Sequence, residues 1–541
     1  MTTEIRNPNT VTGGWMQRDT SRDGWHNRLE AYALGHGEPV WRMLQRHPSV
    51  RRVTNRALIN SGIRKMPTRP NPLSTMTPYT SWASLIDRTY SSRHLPPVLD
   101  QEGGRPGVHE VAKLFARGGE TKLCPRSTVL FPAFAQWFTD GFLRGETKEG
   151  RDPRRTLSPH EIDMCQLYGL DGEVTACLRT FSGGRLKSRL IDSAEFPPAL
   201  CENGVIKAEF SALSVAHFDQ VPADRRDDLF AAGSDRANSN LGPMMMNVLF
   251  LREHNRIAGA LAEGYPGWDD ERIFQTTRNI LIVMLIRIVL EEYINHITPY
   301  HFRFILDHKI AARALWNRQN WASVEFNLLY RWHGLVPSTV LLDGRPIPLA
   351  DTLHNGRMLV DRGLGPALAD ASAQPAGKIG LFNTDPVLMP IEAASLAEGR
   401  AVQLASYNDY RTYSGFPRVT DVSQISGDPE VQAGLRATYR SVDDIELYTG
   451  LFAEEPREGG VLGRLLGRIV TVDALSQALT NPLLAPRIFT PQTFSEIGMR
   501  ILRSTRSLSD VLHRNIPEDP ARYDITMGRQ SKHSPQVRGS S

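Results

Sequence analysis

Charge of one sign is missing over a long stretch. Between Glu38 and Asp87 there is no acidic residue, while Arg42, Arg46, Arg51, Arg52, Arg56, Arg64, Lys65 and Arg69 all fall there. Elsewhere the signs balance, and a formal net charge of +4 over 541 residues gives no reason to propose nucleic-acid binding. Cysteine is scarce: Cys124, Cys165, Cys177 and Cys201 have no CxxC spacing, which argues against a zinc ribbon or disulfide scaffold and for free thiols in a reducing cytoplasm. Long apolar runs are lacking too. The longest, Ile280 to Ile286, stops at Arg287, short of the roughly 20 residues a spanning helix needs, and the opening MTTEIRNPNTVTGG has no apolar signal core. The expectation is a cytoplasmic chain with no signal peptide and no transmembrane helix.

What is present reads as mainly α. With 40% hydrophobic and 23% charged residues the chain can bury a large core. Residues 270–297 keep apolar positions at three- and four-residue spacing after an acidic start, which predicts a long buried helix. A second long helix is predicted over MMMNVLFLREHNRIAGALAEG, stopped by Gly264, and two more over STVLFPAFAQWFTDGFLRG and ASVEFNLLYRWHGL. Strand signals are short, around GRLKSRLID and STVLLDGRPIPL. The domain reading is a flexible N-terminus over 1–24, a basic amphipathic helical segment over 25–75, one large helical catalytic domain over 76–514 and a polar, disordered tail over 515–541. The basic segment interleaves its arginines with Trp41, Met43, Leu44, Val53, Leu58 and Ile59, a pattern that suits either an anionic membrane surface or a solvated hairpin packed on the body.

In NLLYRWHGLVP, Tyr330 and His333 are three apart and on a continuous helix would share a face. Alone, a histidine beside aromatics is more often core than ligand. Taken with FLREHNRIA, DDERIFQTTRNILI, EEYINHITPYHF, FAQWFTDGF and YNDYR, however, the stretch resembles the cyclooxygenase branch of the animal haem peroxidases and, through YRWH, the linoleate dioxygenases. The resemblance runs from about Ser81 to about Gly498 and implies a mainly α haem peroxidase-like domain. It makes His333 the proximal ligand of the haem iron, with Trp332 beside it and Tyr448 near it, and makes Tyr330 the radical-forming tyrosine that abstracts hydrogen from substrate.

The distal side departs from the family. Glutamine and histidine stand four apart there in animal-type peroxidases, whereas QWFTD keeps Gln136 but places Asp140 at the histidine position. A reference aspartate titrates near 3.9 and histidine near 6.5, so the substitution weakens proton shuttling unless the site compensates. Arg236, in AAGSDRANSN, is the expected distal arginine. Thr139 and Ser239 stand where mammalian defence peroxidases have the carboxylates that esterify haem, which implies a non-covalently held haem b; Ca2+ is not indicated. His254 is read as structural.

For substrate, the resemblance implies an unsaturated fatty acid and O2. Tyr300, thirty residues before Tyr330, falls where a tyrosine and an arginine hold the carboxylate; Arg56 is chosen for the arginine, with Arg52 and Arg64 open. Tyr293 falls where a tyrosine bonds the radical tyrosine, and Ile294 follows it along the channel. The activity implied is a fatty-acid dioxygenase forming a hydroperoxide, with peroxidase activity at the same haem. The alternatives are a peroxidase of small phenolic donors and a haem-binding peroxide sensor. A homodimer is an option the resemblance leaves open.

Overall fold

Apolar spacing and helix stops account for most of the frame. The computed structural model describes residues 29, 32–66, 79–98, 104–146, 152–456, 459–516 and 523–529. The expected flexible N-terminus and residues 67–75 of the basic segment lie outside the described residues. In chain order the helices that bear on the site are α1 (Glu38–Arg46), α2 (Pro48–Ile63), α3 (Leu130–Thr139), α4 (Leu241–Gly264), α5 (Asp270–Ile288), α6 (Val324–Leu329), α7 (Met389–Ala401), α8 (Leu447–Ala453) and α9 (Arg464–Leu479). The short strands are β1 (Leu123–Thr128), β2 (Arg189–Ile191), β3 (Ala194–Phe196), β4 (Thr339–Leu342), β5 (Arg345–Pro348) and β6 (Pro375–Gly377). β1 pairs antiparallel with β6, and β2–β3 and β4–β5 are the two hairpins expected from their turns. The fold is mainly α, as the periodicity predicted.

Helices α3, α4 and α5 pack in sequence around the buried centre. Asn240 caps α4 through the Gly242 amide, and the helix ends at the glycine that signalled its stop. Asp269 caps α5 through the Arg272 amide, and Asp270 and Glu271 complement the helix dipole in its first turn. Past Ile288 the rod widens into a π-helical stretch, Val289–Ile294, before a last turn at Asn295–Ile297. By length and composition Asp270–Ile297 is apolar enough to cross a membrane, but 78% of its most apolar window is buried inside the fold, which makes it a core helix here.

The basic segment folds as the helical pair α1–α2, with one face against the strand-like stretch 299–307. Asn55 exchanges two hydrogen bonds with the Ile305 backbone, at 3.0 and 3.1 Å, and Trp41 meets Phe302 edge-on at 6.0 Å. The opposite face leaves Val40, Met43 and Val53 exposed among Arg42, Arg46 and Arg52.

Two expectations are corrected. The tyrosine–histidine segment is not one helix: α6 stops at Leu329, Tyr330 and Trp332 have non-helical backbone angles, and a 3-10 turn holds His333–Leu335. Gly334 is the reason the chain can turn there, since a Cβ on it would meet the Lys378 carbonyl oxygen at 2.9 Å, where the loop crosses β6. The tail is not wholly disordered either. Tyr523, Ile525 and Met527 are buried, and the Met527 carbonyl accepts from the Thr128 amide at 2.9 Å, so residues 523–529 run along the edge of β1. Their alternate apolar positions carry a strand signal that the polar composition around them masks.

Candidate active site

The Tyr330–His333 segment is held from below. Ser323 caps α6 through the Phe326 amide (3.0 Å) and donates to Asp473 on α9 (3.1 Å), whose carboxylate also meets His94 Nε2 at 3.1 Å. Above that anchor, Tyr330 stacks on Trp332 (centroids 4.7 Å apart) and Trp332 on Phe131 of α3 (5.8 Å). Phe131 stacks in turn on Tyr293, whose hydroxyl faces that of Tyr330. Burial pushes the Tyr330 phenol above its ordinary range; Tyr293 opposes that rise and the Asp473 charge adds to it. A phenol so placed keeps its proton and can lose it only together with an electron. Ile294, next to Tyr293, is buried.

The proximal wall centres on His333. Its Nδ1 lies 3.0 Å from Oε1 of Glu392 on α7, a hydrogen-bond separation with the ring turned off the ideal line. Glu392 is buried and also accepts from Thr384 (2.7 Å) and from the Tyr448 hydroxyl (2.6 Å). Tyr448, on α8, therefore reaches the histidine through Glu392 and not directly; burial and then Glu392 push its phenol well up. Among the described residues Nε2 of His333 has no hydrogen-bond partner.

The distal wall is an ion-pair lattice. Asp140, at the end of α3, meets Arg144 at 2.9 Å and Arg236 at 3.5 Å, and accepts from the Ser234 hydroxyl. Arg144 also pairs with Asp235. Burial alone would lower the Arg144 guanidinium, but Asp140 and Asp235 together raise it. Asp140 thus has both oxygens engaged by Arg144, Arg236 and Ser234, an arrangement that anchors the two arginines. Gln136 is held by Ser239, which accepts at 3.2 Å, and by Asn240, which donates at 3.1 Å.

Gln136 and Arg236 keep free side-chain surface. Gln136 is exposed although Ala135 and Trp137 on either side are buried. Arg236 lies so deep that burial lowers its guanidinium, yet 38% of its side-chain surface is free, and the field of Arg331, from the histidine segment, reaches it. The Tyr330 hydroxyl, Trp332 Nε1 and His333 Nδ1 are all buried without a well-aligned protein hydrogen bond, so one short stretch holds three polar atoms that a bound group could satisfy. A free imidazole nitrogen on one side and an amide and guanidinium on the other fit a planar iron porphyrin. Neither ester position has a carboxylate: the Thr139 hydroxyl turns back to the Ala135 carbonyl (2.8 Å), and Ser239 is engaged with Gln136. His254 is structural, between the Tyr168 hydroxyl (2.9 Å) and the Gly184 carbonyl (2.8 Å), with burial lowering it to about 3.

Tyr300 is half-buried where the α1–α2 pair packs on the body. Arg56 is exposed and reaches Asp307 at 3.9 Å, further along the same stretch from Tyr300. The arginine turned inward is Arg51, which donates to the Arg303 carbonyl at 3.3 Å and whose guanidinium is lowered by burial. Sequence reasoning missed two residues. Glu392 is far downstream and has no spacing relation to His333; Arg144 carries a faint signal, one helical turn past Asp140.

A helical chain that carries an imidazole backed by a buried carboxylate, together with an exposed glutamine and a partly free arginine, has the residues of a haem-dependent oxidoreductase. The sequence pattern of the animal haem peroxidases matches residues 141–525, beginning one residue past Asp140. Prostaglandin G/H synthase 1 of Rattus norvegicus is 31% identical over 502 residues, covering 90% of this chain and 81% of that protein, and prostaglandin G/H synthase 2 of Cavia porcellus is 29% identical over 525 residues, covering 93% and 85%. In fold, a fatty acid alpha-dioxygenase of Arabidopsis thaliana aligns with a TM-score of 0.68 at 15% identity, over 91% of this chain and 90% of that one. Peroxidase A of Dictyostelium discoideum aligns at 0.66 and 20%, over 85% and 95%. The chain belongs to the animal haem peroxidase family, in its cyclooxygenase-like branch, and its cofactor is haem iron.

Proposed function

We propose that this enzyme is a fatty-acid dioxygenase in which the Tyr330 radical abstracts a hydrogen atom from an unsaturated fatty acid, O2 adds to the carbon radical, and the resulting peroxyl radical takes the hydrogen atom back from the Tyr330 phenol, leaving a hydroperoxide and the tyrosyl radical. The observation that carries the reading is the Tyr330 phenol: buried, protonated, stacked on Trp332 and facing Tyr293, three residues from an imidazole whose outer nitrogen is free. The haem, held without covalent links as haem b, supplies the oxidising power that removes one electron from that phenol. The hydroxyl of Tyr293 offers a hydrogen-bond partner for the phenol oxygen, and the aromatic packing of Phe131, Trp332 and Phe326 keeps water from quenching the tyrosyl radical. Gln136 and Arg236 polarise a hydroperoxide in the cleft, with Asp140 fixing the arginine. Relatives named prostaglandin G/H synthases, and structural neighbours named fatty acid alpha-dioxygenases, support the substrate class.

The fatty-acid carboxylate would enter beside Tyr300, under the α1–α2 pair, with Arg56 or the inward Arg51 as its cation. The exposed Val40, Met43 and Val53 among arginines make that pair a membrane-surface element from which an acyl chain can pass; sedimentation with anionic vesicles, compared with neutral ones, tests it. The locked state of Asp140 favours one second reading, a peroxide sensor with little turnover.

Incubation with linoleic, oleic and arachidonic acids under 18O-labelled oxygen, followed by mass spectrometry, separates these readings. The dioxygenase yields doubly labelled hydroperoxide; Tyr330→Phe yields none, while oxidation of a phenolic donor persists. Undiminished oxygenation by Tyr330→Phe would overturn the assignment, and no turnover of any lipid or donor by the haem-loaded enzyme would leave the sensor.

A further inference from the structure

We propose that Glu392 is the positioning residue of the proximal ligand: its carboxylate takes the Nδ1 proton of His333 in a hydrogen bond, which fixes Nε2 as the lone-pair nitrogen and makes the imidazole a stronger donor to iron. The inference rests on the haem reading of His333 and is independent of which substrate is oxidised.

Three observations carry it. The 3.0 Å separation of His333 Nδ1 and Glu392 Oε1 is a hydrogen-bond distance, and Nδ1 is buried with no other protein partner. Glu392 has no cation partner among the described residues. It accepts from two neutral hydroxyls, Tyr448 at Oε2 and Thr384 at Oε1, and lies in the first turn of α7, where the helix dipole favours a carboxylate. Neutral donors satisfy the oxygens without cancelling the negative field, so that field also reaches the Nδ1 edge of His333. Finally, all four groups are buried or nearly so, and in such surroundings a carboxylate on the far nitrogen of a metal-bound imidazole sets its tautomer, its orientation and its basicity.

The sign of the effect differs between variants in a way that a merely structural role would not reproduce. Glu392→Gln leaves a neutral acceptor, so the imidazole donates less. The ferrous iron–imidazole stretch should fall in frequency, and the ferric–ferrous equilibrium should shift toward ferrous by about tenfold, equivalent to about 59 mV upward for a one-electron couple. Tyr448→Phe and Thr384→Val remove competing donors from the same carboxylate, strengthen its bond to His333, and should move both readouts the opposite way by a smaller amount. Resonance Raman spectroscopy and redox titration of the haem-loaded full chain read both. The inference is overturned if Glu392→Gln leaves stretch and potential unchanged, or if Tyr448→Phe shifts them in the same direction as Glu392→Gln. If Glu392→Gln fails to retain haem, the two donor variants decide: a downward potential supports the bond, and no shift or an upward one overturns it. Failure of fatty-acid oxygenation would touch neither readout, since both report on the iron–imidazole bond.

Discussion

The distal wall holds a carboxylate among cations, and the proximal wall holds one among neutral hydroxyls. Asp140 is paired with Arg144 and Arg236, whereas Glu392 accepts from Tyr448 and Thr384. A carboxylate neutralised by guanidinium groups spends its field on holding them still, so Asp140 supplies geometry to Arg236. A carboxylate satisfied by hydroxyls keeps its field for a neighbour, so Glu392 supplies charge to His333. Two acids of the same chemistry therefore do different things, and what decides is the charge of their donors.

The largest expected effect removes the proximal side altogether. His333→Ala should abolish the Soret band of the purified protein and all turnover, because it removes the imidazole proposed to ligate iron; an undiminished Soret band would break the comparison at its root. Next is the distal lattice. Asp140→Ala leaves Arg144 and Arg236 without their shared partner and should cost about 3–5 kcal/mol in chemical denaturation, with peroxide turnover falling as the arginine loosens. Asp140→Asn, which keeps the contacts with Ser234, should lose less.

A third carboxylate sharpens the comparison, because among the described residues it has no cation partner and little else. Glu292, in the π-helical stretch beside Tyr293, accepts from the Leu508 amide at 2.8 Å, and burial pushes it up to about 7, with Asp510 adding. A carboxyl raised in the folded state above its unfolded value near 4.5 contributes stability that is present below that value and lost as pH rises through 7. The wild type should therefore lose on the order of 2 kcal/mol between pH 5 and pH 8 by denaturant titration relative to Glu292→Gln, which should be the more stable of the two at pH 8. The smallest effect is expected at the surface. Arg56→Ala breaks only an exposed 3.9 Å pair and should change stability by less than about 0.5 kcal/mol, so a rise in KM for fatty acid without loss of fold would mark it as a carboxylate contact.

The sequence was most legible where a local pattern decides the structure. The long helices at 241–264 and 270–288 follow from apolar periodicity, an acidic first turn and a terminal glycine, and the two hairpins follow from their turns. It was less legible at the site. The helix read through YRWH ends early because stacking of Tyr330 on Trp332 and the close crossing of Gly334 with β6 override local propensity. The ordered stretch at 523–529 was hidden because its partner, β1, lies some four hundred positions away in the chain.

By itself, then, the sequence determined the class of structure and singled out the imidazole and the phenol proposed for the site, with an aspartate in place of the family's distal histidine, since each depends on residue type and short spacing. Only the tertiary structure decided what Asp140 and Glu392 do. A carboxylate's role is set by the donors that surround it, and those donors come from distant segments that meet only when the core closes.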